Sequence, residues 1–339
     1  MRTVPLLSPP RCPQWGRPAT DHDGGWAVLD VETSGFRPGQ ARIVSIAVVA
    51  LDADGAVQRS FASLLNPGVD PGPTHVHGLT AEMLAGQPTF ADIAGELVAL
   101  LRGRTLVAHN VAFDYAFVAA EAEEAGVELP VDEVMCTVEL TRRLALGLEN
   151  LRLGTLAQHW SVPQLRPHDA YDDALVLAGI LLPALRRARA RDVWLPVRPV
   201  SRRRWPNGRV THDDLRPLKA MAARLTCPYA NPGRHVPGRP LVQGMRVALS
   251  AELDRTHDEL VERMVHAGLA FTDLVDPHTS LVLGNDPAAE QGKAFQAREL
   301  GIPLMGDDEF LTAAAAVVGG SDVPLFADAP ASGHQFALF

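Results

Sequence analysis

The sequence predicts an α/β protein of two domains joined by a basic linker. Three observations carry that expectation. Three strand-like stretches, 26–31, 42–51 and 57–65, open the ordered part and lead into alternating helical and strand-like segments up to about residue 185. Periodicity then lapses over residues 186–240, which are rich in Arg, Pro and Gly. It returns at Leu241 as a second strand–helix alternation, expected to build a small parallel sheet with helices on its faces. A length of 339 residues suits two domains, and a hydrophobic fraction of 47% supplies their cores.

Before the first strand, residues 1–23 are proline-rich and lack the apolar core of a secretion signal. No apolar run is long enough to span a bilayer, so no membrane partner is expected. Cys12, Cys136 and Cys227 lie far apart and match no zinc spacing, which suits reduced thiols and a cytoplasmic chain. The net charge of −9 argues weakly against a nucleic-acid partner. Yet between Arg186 and Arg224 twelve Arg or Lys stand against only Asp192, Asp213 and Asp214. That segment either holds a phosphate backbone or is a solvated linker.

In the first strand, four apolar residues lead into Asp30-Val31-Glu32-Thr33. Residues two apart on a strand share a face, so Asp30 and Glu32 point the same way. Two carboxylates side by side at a core edge repel one another and lose hydration, and a divalent cation relieves both costs. A strand with one wet face is the plain alternative. Asp52-Ala53-Asp54-Gly55 supplies the turn between the next two strands. Thr80 and Thr89 are expected to cap a short helix and a helix over 90–101. A strand over 105–109 breaks at Asn110 into a helix ending near Gly126, with Phe113 and Phe117 facing the core. Asp114 falls in that helix's first turn, where it can reach the ion of Asp30 and Glu32 or merely favour the helix N-terminus. Further on, Pro167 keeps His168 outside a helix that Asp169 can cap, with Asp173 one turn in. A histidine ahead of a carboxylate suits proton abstraction from water, though alone it reads more readily as a surface loop residue.

Together the Asp30-Val31-Glu32-Thr33 stretch, the His109-Asn110-Val111-Ala112-Phe113-Asp114 run and the His168-to-Asp173 run resemble the three exonuclease motifs of the DEDD superfamily. The histidine in the third motif is similar to the DEDDh branch, which holds the epsilon proofreading subunit of bacterial DNA polymerase III. Gly35 and the His77-Gly78-Leu79-Thr80 turn agree, and the likeness covers residues 24–185. The resemblance implies a ribonuclease H-like mixed sheet with flanking helices. It also implies two Mg2+ (or Mn2+) ions on Asp30, Glu32, Asp114 and Asp173, with His168 taking the proton of the attacking water. The product would be a 5′-mononucleotide from a single-stranded DNA 3′ end, in proofreading or repair. Thr33, Gly35, Phe36, His77, Asn110 and Phe113 are then expected around the terminal nucleotide. Asp169 and Asp172 stay outside the ligand set, because the family takes the carboxylate five residues after the histidine. An RNA-trimming enzyme of the same superfamily, or a clamp- and DNA-binding scaffold with a vestigial catalytic domain, are the alternatives. The intact set of acidic residues and His168 counts against the scaffold.

In the second domain, expected over residues 241–320, strands at 245–249, 270–271, 281–283 and 302–304 alternate with helices over 257–267, 288–300 and 307–317. The Gly244-Met245-Arg246-Val247-Ala248-Leu249-Ser250 and Thr279-Ser280-Leu281-Val282-Leu283-Gly284-Asn285 stretches resemble a bacterial BRCT domain, as does the run from Lys293 to Leu300-Gly301-Ile302-Pro303-Leu304. The tryptophan usual in its last helix is missing. The resemblance puts Ser250 and Lys293 where some members bind phosphate, the alternative being a plain packing module. A flexible tail, 321–339, ends in Gln335-Phe336-Ala337-Leu338-Phe339. Gln335, Leu338 and Phe339 resemble the peptide by which bacterial replication and repair proteins dock on the sliding clamp.

Overall fold

The computed structural model describes residues 15–22, 24–201, 203–204, 210–211 and 215–323. Gln335, Leu338, Phe339 and Cys12 lie outside the described residues. The chain divides into two compact units between Met221 and Ala222.

The first unit runs β1 (Gly25–Thr33), β2 (Ile43–Leu51), β3 (Val57–Leu64), α1 (Thr74–His77), α2 (Ala81–Leu84), α3 (Phe90–Leu101), β4 (Arg104–Ala108) and α4 (Val111–Glu124). It continues with β5 (Glu133–Cys136), α5 (Thr137–Leu144), α6 (Leu153–His159), α7 (Ala170–Ala190) and β6 (Val197–Pro199). Strands β7 (Arg203–Arg204) and β8 (Val210–Thr211) pair with each other, and α8 (Leu218–Ala222) follows. Six strands form one mixed sheet in the order β3-β2-β1-β4-β5-β6. The pairs β3–β2, β2–β1 and β5–β6 are antiparallel, while β1–β4 and β4–β5 are parallel.

Helices cover both faces of this sheet, and the alternation along β1 sorts its side chains between them. Ala27, Leu29 and Val31 pack with α3 and α4. Trp26 and Val28 pack with α5, α6 and α7. Asp30 and Glu32 continue the second face. Pairing of β1 with β4 runs only from Gly25↔Arg104 to Val28↔Val107. The C-terminal part of β1 therefore outruns its parallel neighbour, and the two carboxylates come at an opening in the sheet rather than in its core.

Two local features follow the sequence closely. Thr89 accepts the Asp92 N–H while the Asp92 carboxylate accepts the Thr89 N–H, a full capping box for α3. Asp169 caps α7 by accepting the Asp172 N–H at 3.0 Å.

The first unit is larger than the expected 24–185. Residues 193–199, which composition places in a linker, add β6 to the sheet edge, with Leu195 and Val197 fully buried. Arg17 bridges to Leu195, and Trp15 is also buried, so residues 15–17 pack in this unit rather than ahead of it. A three-residue strand ending in proline has almost no periodic signal, and proline is tolerated at a sheet edge. Segments β5, α5 and α6, over residues 133–159, also carry no expectation from the sequence, being short and only partly periodic.

The second unit contains β9 (Arg246–Leu249), α9 (His257–His266), β10 (Ala270–Phe271), β11 (Leu281–Leu283), α10 (Gly292–Glu299), β12 (Leu304–Met305) and α11 (Asp307–Ala314). Its four strands are all parallel, in the order β10-β9-β11-β12. Ala248, Val282, Ala297 and Ile302 form a core between sheet and α10. Helix α10 starts later than expected because the Asp286 carboxylate takes the Ala288 N–H at 2.9 Å and holds a turn there. Strand β12 is shifted past Pro303, which lacks an N–H and offers only its carbonyl, to Val282, at 3.1 Å.

Candidate active site

Four carboxylates from three elements meet in one cleft of about 840 Å3. Asp30 and Glu32 come from the overrunning end of β1. Asp114 comes from the first turn of α4, which begins where β4 ends. Asn110 makes that junction in the left-handed region, at φ 82°, a conformation that asparagine tolerates better than most residues. The buried Asp114 carboxylate takes backbone N–H groups of Val31 and of Asp114 itself, which ties α4 to the free edge of β1. Asp173 comes from the first turn of α7. Its Oδ1 accepts the Gln164 side-chain amide at 2.7 Å, and its Oδ2 accepts the His168 N–H at 3.0 Å. Asp172, one residue earlier, points elsewhere and accepts the Leu165 and Arg166 N–H groups at 2.9 and 2.8 Å. It braces the loop, while Asp173 faces the cleft.

The charges are costly as they stand. Burial, then the charges of Asp114, Asp173 and Glu32, holds the Asp30 carboxyl well above its ordinary value. Glu32 is pushed up to about 8, first by burial and then by Asp173 and Asp114. Burial pushes Asp114 up to about 7 despite its two backbone hydrogen bonds. Asp173 is also raised by burial, while Gln164 and His168 pull it back down. Ligand atoms of Glu32, His168 and Asp173 lie within 4.8 Å of one another. Oxygen donors that raise one another's pKa, with a histidine beside them, fit a hard divalent cation.

The other expected residues divide into two groups. Asn110 and Phe113 line the cleft. Thr33, Gly35, Phe36 and His77 are not among its lining residues. Thr33 is buried and donates its hydroxyl to the Gly35 carbonyl at 2.7 Å, closing the turn after β1. His77 accepts the Leu79 N–H on Nδ1 at 3.0 Å, which leaves Nε2 to donate to the Pro71 carbonyl at 3.2 Å. Burial lowers its pKa, in keeping with a neutral ring that locks a turn. That turn reaches the end of β1 through Gly72, where φ is 81° and an added Cβ would lie 2.1 Å from the Ser34 carbonyl oxygen. Phe36 is 84% exposed on the intervening loop.

A family model described as Exonuclease (RNase_T) matches residues 27–181, a span that holds all four carboxylates and His168. DNA polymerase III subunit epsilon of Treponema pallidum is 30% identical over 155 residues, covering 44% of this chain and 72% of that protein. The chain belongs to the exonuclease family. The 3′-5′ exonuclease DinG of Bacillus subtilis is 34% identical over 167 residues, 48% of this chain but only 18% of DinG. Against the PolC-type DNA polymerase III of Clostridium perfringens the chain covers 11% of the relative. It thus spans less than a fifth of either of these two relatives. Among solved structures, Escherichia coli exonuclease I in complex with a dA16 oligonucleotide aligns with a TM-score of 0.44 at 18% identity, over 50% of this chain and 42% of that one.

Two residues of this exonuclease-family site carry no signal in the sequence pattern. Gln164 orients Asp173. Gly154 makes room for it, since a Cβ there would meet the Gln164 Oε1 at 3.0 Å. His109, from the second motif run, lines the cleft, with Nδ1 3.0 Å from the Thr137 hydroxyl and a further hydrogen bond to the Leu151 backbone. Gln164 and Gly154 lie outside the motif runs, and only their neighbourhood to motif residues could have drawn attention to them.

In the second unit, Ser250 is buried and donates to the Glu252 carboxylate, while Lys293 pairs with Asp273 at 2.9 Å. Each is engaged by an acidic side chain.

Proposed function

We propose that this chain is a DEDDh-type, divalent-metal-dependent 3′→5′ exonuclease that removes 5′-mononucleotides from single-stranded DNA 3′ ends. The observation that carries this is the convergence of Asp30, Glu32, Asp114 and Asp173 on one cleft, with His168 at its mouth. Two Mg2+ or Mn2+ ions held by these carboxylates would polarise the scissile phosphodiester and acidify the attacking water. Asp30 and Asp114 anchor the cluster from two elements. Glu32 and Asp173 share their corner with His168. That histidine is exposed, its backbone held by Asp173, so its ring can take the proton of the attacking water and release it to solvent. Phe113 and Asn110 shape the apolar and polar sides of the pocket for the terminal nucleotide. A ribonuclease H-like classification of the first unit is supported by the mixed strand order and the helices on both faces.

For the second unit, the all-parallel order β10-β9-β11-β12 supports the BRCT-like reading. The pairing of Ser250 and Lys293 with carboxylates speaks for a packing role and against a ready phosphate site.

The test uses single-stranded DNA and RNA oligonucleotides labelled at the 5′ end, with Mg2+ or Mn2+, beside Asp30→Ala. Stepwise shortening from the 3′ end, lost in the variant and in chelator, supports the reading. Absence of cleavage of every substrate, with binding retained, overturns it. Faster shortening of RNA than of DNA would redirect it to RNA trimming.

A further inference from the structure

The cleft has a second wall, formed by the loop entering α6 and by α6 itself, and it contains one unexplained charge. Arg152 is the only Arg or Lys among the described lining residues. Its backbone N–H bonds the Asn150 side chain at 3.0 Å, but its guanidinium has no partner among the described residues. In particular it forms no ion pair with any of the four carboxylates. Two other arginines of this unit are neutralised: Arg166, beside the same cleft, pairs with Asp169 at 3.2 Å, and Arg142 pairs with Glu139.

The position of Arg152 is built. The Asn150 carboxamide oxygen accepts both the Arg152 N–H and, at 2.7 Å, the Thr155 hydroxyl, which pins the turn on either side. The preceding residue, Leu151, is tied through its backbone to the His109 ring, which is fixed in turn to Thr137. A side chain with such a mobile stem thus starts from a backbone anchored to the end of β4, close to the chemistry.

A single-stranded substrate brings one negative charge per nucleotide. Cations on the carboxylates can neutralise the linkage being cut, but the next phosphate along the strand would meet the negative field of the cluster unaided. A guanidinium offers a planar fork matched to phosphate oxygens and stays charged at any working pH. We propose that Arg152 binds a non-scissile phosphate of the single strand, one linkage or more to the 5′ side of the cut. The inference rests on the exonuclease reading above and adds the residue that makes the cleft accept a polymer end rather than a lone nucleotide ester.

The test compares wild type, Arg152→Ala and Arg152→Lys on a short oligothymidylate and on p-nitrophenyl thymidine 5′-monophosphate, whose only phosphodiester is the scissile one. The loss of kcat/KM in Arg152→Ala should be about tenfold greater on the oligonucleotide, mainly in KM, with Arg152→Lys in between. The slope of log KM against log salt should shrink by about 0.7, the signature of one lost phosphate contact on a single strand. Equal losses on both substrates, or none on either, overturn the proposal. If wild type hydrolyses neither substrate, the exonuclease reading itself fails. Arg152 is then judged by fluorescence anisotropy of the labelled oligonucleotide in chelator: about tenfold weaker binding in Arg152→Ala supports it, and unchanged binding overturns it.

Discussion

Gln164 donates its side-chain amide to Asp173 Oδ1 at 2.7 Å, and this bond sets both the direction and the acidity of a carboxylate that faces the cleft. Because the bond lowers a pKa that burial has raised, removing it lets Asp173 hold its proton to higher pH. In Gln164→Leu the acid limb of kcat/KM against pH, measured at subsaturating Mg2+, is expected to move upward. Gly154→Val should move it the same way, because bulk at that position displaces the Gln164 amide oxygen, 3.0 Å from the site of a Cβ. A uniform fall across the profile with no movement of the limb would assign Gln164 a packing role only.

The carboxylate cluster makes the cation-free protein sensitive to alkaline pH. Glu32 and Asp114 are raised from 4.5 and 3.8 to about 8 and about 7. A carboxyl with a raised folded-state pKa contributes stability that is complete below its unfolded value and is lost as pH rises through the folded one. In chelator, Tm should therefore fall between about pH 4.5 and pH 8. Mn2+ or Mg2+ should restore it at pH 8 and do little at pH 5, where protonated carboxyls compete. Glu32→Gln should flatten the dependence. A Tm in chelator that rises over the same range would refute this assignment of the charges.

Glu121 on α4 links the loop after β1 to the sheet. Its carboxylate is 4% exposed and accepts Arg42 Nε and Nη2 at 2.9 and 2.7 Å, as well as the Ile43 N–H at 3.0 Å. Glu121→Ala would leave Arg42 only its pair with Glu124 at 2.9 Å and strand the buried Ile43 N–H, a loss of about 2 kcal/mol in urea unfolding. Glu121→Gln should lose less, because an amide oxygen can keep one of the bonds. Since β2 begins at Ile43, and the Ser34 N–H donates to the Arg42 carbonyl while the Ser34 hydroxyl accepts the Arg42 N–H beside Thr33, the alanine variant should also raise KM.

What the sequence made legible was local and periodic. Asp30 and Glu32 share a strand face by alternation alone, and Asp114 and Asp173 fall in first helical turns marked by Asn110 and by the Asp169 cap. Their meeting needs the strand order β1-β4, which no local pattern specifies. Gln164, Gly154 and Arg152 lie in α6 and the loops on either side of it, a region whose short elements left no clear period. The same holds for β6, where Arg and Pro outweigh the apolar signal of Leu195 and Val197. Thr33 and His77 lie where expected in the chain, yet their polar atoms are spent on turns.

His168 joins a strained backbone to an exposed ring. Its φ of 65° lies in the left-handed region, where a Cβ is penalised, and its N–H is held by Asp173 at 3.0 Å. Glycine adopts that conformation freely, so His168→Gly should keep the loop and match or exceed wild-type stability by up to about 1 kcal/mol, while His168→Ala keeps the strain. Both variants lose the ring, and kcat should fall by about 10²–10⁴ in each. Equal activity loss with unequal stability separates proton transfer from loop geometry. Added imidazole should return part of the rate to His168→Gly, whose missing side chain leaves room for it. A glycine variant cleaving at the wild-type rate would show that another group takes the proton.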